Sequence, residues 1–205
     1  KLRDHWKNRI LAREVGSDTA NKNIGQIAAM FREVNDEKRL KLDDVFARSR
    51  IKGGEKKKRV AFNIQYVQDI LLADGTMDGL NDEARAIFYV VAETGMRPSE
   101  VAGLTSDTIL LNHLVPHVRI IEDGRALKTT HSRRQLPLVG LALEVMKHFP
   151  DGFPYYRHRT ATLSTTINKY LRENHLCPVE GQSFYSLRHT FKDRLRAVDN
   201  DKELR

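Results

Sequence analysis

The stretch Thr94-Gly95-Met96-Arg97-Pro98-Ser99-Glu100-Val101-Ala102-Gly103-Leu104 decides how the middle of this chain is read. Upstream of it, Asn81 can cap a helix whose Ala84, Ile87, Phe88, Val91 and Ala92 recur with the period of one buried helical stripe. Gly95 supplies a C-terminal stop, because glycine takes the left-handed conformation that ends helices. Pro98 suits the first position of a following helix, where its missing N–H costs no hydrogen bond. Arg97 is therefore held in the turn between two helices. Glu100, three residues on, lies on the same helical side and can fix its guanidinium. Taken alone, Arg97 would be a surface cation near the end of the preceding helix.

A second arginine stands in Tyr185-Ser186-Leu187-Arg188-His189-Thr190-Phe191, where Leu187, Phe191 and Leu195 form a stripe expected to be buried. Arg188 and Lys192 fall on the adjoining face. Between the two arginine boxes, Ile109-Leu110-Leu111, His117 to Ile121 and Gln135 to Leu138 read as short strands, with Asp123-Gly124 as a turn. Lys128, in Leu127-Lys128-Thr129-Thr130-His131-Ser132-Arg133-Arg134, falls in the connection before the last strand. Helical spacing returns around Leu141, Val145 and Met146, and again around Leu163, Ile167, Tyr170 and Leu171. Asn63 can cap a shorter helix with Val67, Ile70 and Leu71 inward. The fold class expected is α+β, mostly α-helical, with a small antiparallel β-sheet.

Two arginines and a lysine so framed fit the chemistry of a phosphodiester. Attack on phosphorus concentrates negative charge on the non-bridging oxygens, and a guanidinium fork matches two of them with parallel charge-assisted bonds. Arginine does not titrate near neutral pH, so a separate group must protonate the departing sugar oxygen, and Lys128 is suited to it. Arg133 and Arg134 are its competitors, or phosphate-contacting helpers. Fixed cations supply the stabilisation that magnesium supplies in other phosphoryl transfers, so neither metal nor cofactor is expected.

Composition agrees with a polyanionic partner. The chain carries 35 Lys plus Arg against 27 Asp plus Glu, a formal net charge of +8 over 205 residues, which favours nucleic acid or an acidic membrane. No apolar run approaches the roughly 20 residues of a membrane helix, so a membrane is not an expected partner. The single Cys177 excludes an internal disulfide framework and points to a reducing cytoplasm. From Arg48 to Val60 paired glycines and a dense positive run, including Lys56, Lys57, Lys58 and Arg59, read as a linker. Such a run is either a solvated connector or a cationic strand that follows a phosphate backbone. Before it, Trp6, Ile10 and Leu11 mark one helix. Thr19 is an N-cap candidate for a second, carrying Ile24, Ile27, Ala28 and Phe31. Lys22 would then sit in a first turn, either as a surface lysine or facing an external anion.

The boxes around Arg97, Lys128 and Arg188, in this order, resemble the catalytic boxes of the tyrosine recombinases, the phage-integrase family. The resemblance runs from about Arg59 onward and more weakly over the segment before it. It implies a DNA breaking-rejoining catalytic domain over 60–205, C-terminally incomplete, with a basic linker at 49–59. Residues 1–48 would be the C-terminal part of a helical core-binding domain that clamps DNA from the opposite face. In the family a tyrosine attacks a DNA phosphate, forms a 3′-phosphotyrosyl link and expels a 5′-hydroxyl. Here Arg97 and Arg188 would grip that phosphate on one concave basic surface, with Lys128 at its rim as proton donor and Tyr185 assisting. Glu100 would support Arg97, and Lys22, Lys56, Lys57, Lys58, Arg59, Arg133, Arg134 and Lys192 would contact DNA. Implied partners are attachment-site duplexes and, on them, a homo-tetramer, with this chain alone a monomer; the implied setting is the cytoplasm, for a protein encoded by a bacterium or by a phage or prophage.

Two departures stand out. Tyr185 occupies the place where the family usually has histidine, and its ordinary pKa near 10 makes it a poor base at neutral pH. His189 is either a substitute or a packed structural residue. No tyrosine follows Arg188, so the nucleophile and its Gly-His box are expected beyond Arg205, and this piece is expected to bind DNA without attacking it. The alternative is a non-enzymatic DNA-binding module or a degenerate recombinase. A protein-interaction domain would require all three boxes to be coincidental.

Overall fold

A helix apolar on almost every side has to be surrounded, and one such helix organises the larger part of this protein. The computed structural model describes residues 1–52, 60–122 and 133–199. The chain divides into two compact units, Lys1–Lys57 and Lys58–Arg205. The helices are α1 (Leu2–Leu11), α2 (Ser17–Glu37), α3 (Ile64–Tyr66), α4 (Asp82–Thr94), α5 (Pro98–Ala102), α6 (Gly140–His148), α7 (Thr160–Glu173) and α8 (Ser186–Asp199). The strands are β1 (Ile109–Leu110), β2 (His117–Ile120) and β3 (Arg134–Pro137).

In the larger unit α4 buries Ala84, Ala86, Ile87, Phe88, Val90, Val91, Ala92 and Thr94 and is packed by α5, α6, α7 and α8. Its start is fixed by Asn81, whose side chain accepts the Ala84 N–H at 3.0 Å and donates to the Tyr156 hydroxyl at 2.8 Å. Phe88 stacks on Phe184, just before α8, with ring centroids 5.8 Å apart. The opening of the unit is tied to α8 as well. The Phe62 N–H donates to the Thr190 hydroxyl at 2.8 Å, and that hydroxyl donates to the Phe62 carbonyl at 3.1 Å.

The sheet is antiparallel in the order β1-β2-β3, with Val118 opposite both Ile109 and Leu136, and Ile120 opposite Arg134. Along β3, Arg134 and Leu136 are half-buried while Gln135 and Pro137 are exposed. Arg134 therefore shares the covered face of the strand. β1 and β2 each end one residue before their apolar runs do, and β3 begins and ends one residue earlier than expected. The Asp123-Gly124 turn lies outside the described residues.

Three other expectations are corrected. Asn63 does cap α3, but the helix widens into a π turn over Val67–Leu71, with the Leu72 N–H bonded to the Val67 carbonyl at 2.9 Å. The extra residue in that turn leaves Ile70 41% exposed while Val67 and Leu71 stay buried. Of the expected apolar stripe on α8 only Leu187 is buried: Phe191 is half-buried and Leu195 is 56% exposed, because the later turns of the helix run beyond the core. In the smaller unit α2 begins at Ser17 with Gly16 as its cap, so Thr19 is inside the helix and Lys22 is in its second turn. That unit has a small core of Ala20, Ile24 and Ile51 flanked by Trp6, Ile10 and Phe46. Asn21 pins it, accepting the Ile51 N–H at 2.8 Å and donating to the Ile51 carbonyl at 3.0 Å.

Gly95 ends α4 in the left-handed conformation, with φ of 61°, and a Cβ there would drive into the Phe191 ring. Gly75, with φ of 80°, has only Asp78 at ordinary contact distance. Gly75→Ala should therefore cost about 1 kcal/mol, the left-handed penalty alone. Gly95→Ala should cost about 3 kcal/mol, because steric overlap adds to that penalty. Urea unfolding of both variants checks this, and equal costs would mean that Phe191 moves aside freely.

Candidate functional site

The turn that ends α4 builds the first part of the site from local rules. Thr94 turns its hydroxyl onto the Val90 carbonyl and accepts the Met96 N–H at 3.3 Å. Met96 is fully buried, which anchors the turn. Arg97 has φ of −68° and ψ of 140°, the extended conformation imposed on a residue before proline. Pro98 opens α5, and Glu100 at its third position accepts the Arg97 N–H at 2.9 Å. Glu100 also takes the Arg97 guanidinium, Nη1 to Oε1 at 2.6 Å. Glu100 therefore meets Arg97 at both its backbone and its side chain.

A further partner comes from far along the chain. Arg134 at the start of β3 donates Nη2 to Glu100 Oε2 at 2.7 Å and Nη1 to Oε1 at 3.3 Å. Glu100 is only 4% exposed, so one buried carboxylate joins an arginine on a turn to an arginine on a sheet. Burial alone would raise the Glu100 pKa. The bonds from Arg134 and from the backbone and guanidinium of Arg97 outweigh it and hold the carboxyl below the usual glutamate range.

Arg188, in the first turn of α8, donates Nη1 to the carbonyl of Gly95, two residues before Arg97. It lines a cavity of about 310 Å³ with Thr94, Gly95, Arg134, Leu136, Phe191, Lys192 and Leu195. Arg134, Arg188 and Lys192 supply three cations there, with no carboxylate among the described lining residues. A cavity of about 430 Å³ beside α4 and α6 is larger, lined by Asp82, Arg85, Ala86, Tyr89, Val145, His148 and Phe149. Asp82 belongs to that lining and pairs with its arginine, Arg85, whereas the described lining of the smaller cavity carries cations without a carboxylate, so the smaller cavity is the candidate site.

The remaining expected residues are distributed as follows. Tyr185 immediately precedes α8, half-buried, with its ring 5.5 Å from that of His189. Arg133 is exposed and 3.6 Å from Glu122. Exposed Lys22 lines a separate cavity in the smaller unit with Asn21, Arg32 and Arg50. Lys128, Lys56, Lys57, Lys58 and Arg59 lie outside the described residues. Sequence reasoning paired Glu100 with Arg97 by their spacing and missed Arg134, because a partner 34 residues away leaves no periodic trace.

The chain matches no family profile and no curated protein. Among solved structures it is similar to the Tn1549 transposon integrase in complex with transposon right-end DNA. The TM-score is 0.61 at 15% identity, over 100% of this chain and 75% of that one. The same integrase with circular intermediate DNA gives 0.61 at 14% identity, over 96% of this chain and 72% of that one. A further circular-intermediate complex gives 0.64 at 15%, over 97% and 73%. The likeness at such identities is one of fold: the chain has the tyrosine-recombinase catalytic fold that its arginine boxes lead one to expect.

A carboxyl held below its unfolded pKa stabilises the folded state at pH values above the unfolded pKa. That contribution is lost as pH falls through the folded one. Glu100→Gln should thus cost about 2 kcal/mol at pH 7, less than a fully buried pair because both guanidiniums still meet water. The gap to wild type should shrink as pH drops below the ordinary glutamate value of 4.5. Urea titrations of both proteins from pH 7 to pH 3 measure it, and a gap that stays constant contradicts the ionised pair.

Proposed function

We propose that the protein is a site-specific DNA recombinase or integrase of the tyrosine class, acting on duplex DNA at attachment sites. The observation that carries this reading is the cavity in which Arg134, Arg188 and Lys192 meet, linked through Gly95 and Glu100 to Arg97. The structures it resembles are of an integrase in complex with DNA, which supports a DNA partner for the same fold.

In this reading Arg97 and Arg188 grip the two non-bridging oxygens of one phosphate and stabilise the charge that grows there during attack. Lys128 protonates the departing 5′-oxygen, and Tyr185 hydrogen-bonds the phosphate where the family has histidine. The strand is cut and rejoined through a 3′-phosphotyrosyl intermediate, which retains the bond energy so that no nucleotide cofactor is consumed. Four protomers assemble on two duplexes. Lys22 and the basic segment at 56–59 follow the phosphate backbone.

None of the six tyrosines lines the cavity among its described residues. Tyr170 is engaged with the Thr76 carbonyl at 2.7 Å and Tyr156 with Asn81. The reading therefore assigns these residues the phosphate-gripping half of the reaction, with the attacking tyrosine supplied from outside them. Tyr185 in place of histidine favours a second reading, a recombinase fold retained for DNA binding alone.

Duplex DNA binding tests the proposal. Affinity should fall steeply with salt, with a log–log slope of about −0.9 per neutralised phosphate. Arg188→Ala should reduce that slope by about one unit while leaving most non-specific affinity. On a nicked suicide substrate this chain should form no covalent adduct. An adduct would place the nucleophile among the six tyrosines, and absence of any DNA binding would sink the reading.

A further inference from the structure

Resting on that reading of the cavity, we propose that Arg134 is a positioning residue that acts through Glu100. It occupies enough of the carboxylate to keep the Arg97 guanidinium turned toward the substrate phosphate. The geometry is a matter of acceptor capacity. A carboxylate offers about four lone-pair sites, and a guanidinium five N–H donors in a rigid fork. Among the described residues, N–H groups that converge on Glu100 include the Arg97 backbone at 2.9 Å, Arg97 Nη1 at 2.6 Å, Arg134 Nη2 at 2.7 Å and Arg134 Nη1 at 3.3 Å. Arg134 thus holds the carboxylate with both arms of its fork, and Arg97 with one.

Loss of Arg134 would open two acceptor sites on a carboxylate only 4% exposed, where water is scarce and an unsatisfied charged acceptor is costly. Arg97 is the donor already in place. Its fork would rotate to take both oxygens, the geometry guanidinium and carboxylate prefer, and the face needed for phosphate would be spent on Glu100. A cation on a β-strand thereby controls how an arginine on a helix turn is presented. Arg133, one residue earlier, has the same charge but meets only the exposed Glu122 at 3.6 Å, a contact too loose and wet to orient anything.

A double-mutant cycle on this chain decides the matter. Arg134→Gln should lower affinity for a duplex oligonucleotide about tenfold at fixed salt, and by no more than about twofold in the Glu100→Gln background. The Arg97 Nε–H resonance in a ¹⁵N spectrum should shift on Arg134→Gln and stay unmoved by it in the Glu100→Gln background. Arg134→Lys, which keeps the charge but not the fork, should recover only part of the affinity. It carries the same two readouts should Arg134→Gln fail to fold. Equal loss of affinity in both backgrounds would overturn the proposal by making Arg134 a direct DNA contact. So would an Arg97 resonance indifferent to Arg134. Should the wild-type chain bind no duplex DNA, the recombinase reading falls, and the Arg97 resonance still decides the positioning role.

Discussion

The Glu100 carboxylate, buried between the guanidiniums of Arg97 and Arg134, is the constraint on which the site depends. The cavity lined by Arg134, Arg188 and Lys192 gathers like charges, and like charges in a partly desolvated cavity repel one another. One buried negative group offsets part of that repulsion and fixes Arg97 and Arg134 by short bonds. It can do so only while ionised, and the cations are what keep it ionised. Charge and geometry are therefore set by the same N–H groups.

Three parts of the larger unit must agree for the site to form. The proline after Arg97 imposes the extended backbone that points its N–H at Glu100. The register of β2 with β3 puts Arg134 opposite Ile120, on the covered face of the strand. The Phe191 ring closes over Gly95, and Arg188 then bonds the Gly95 carbonyl. Glycine serves twice at this point, once for its positive φ and once for the space its missing Cβ leaves. The core around α4 supplies the rigidity behind all three, since α5 and α8 both rest on it.

Much of this was legible in the sequence where the signal is local. Asn81, Gly95 and Pro98 announced the ends of helices, because caps and stops depend on the few residues around them. The pairing of Arg97 with Glu100 followed from their spacing. The errors fall where a rule of period meets a tertiary context. Ile70 was assigned inward by a regular helical count that a π turn breaks. Leu195 continued an apolar stripe past the end of the surface it could pack against. Thr19 looked like a cap because threonine often is one, yet Gly16 takes that place in α2. Arg134 is named from the sequence only as a cation for DNA; that its guanidinium meets Glu100 depends on strand register, which no local pattern encodes.

The central claim is that Arg97 and Arg188 serve a single phosphate. A crystal structure of the protein soaked with tungstate, a tetrahedral dianion visible by its anomalous scattering, tests it most directly. The account predicts one ion in the cavity beside Thr94 and Lys192, within hydrogen-bond reach of both guanidiniums, with Glu100 still holding Arg134. A cavity left empty at saturating tungstate, or an ion touching Arg188 while Arg97 points elsewhere, would contradict it.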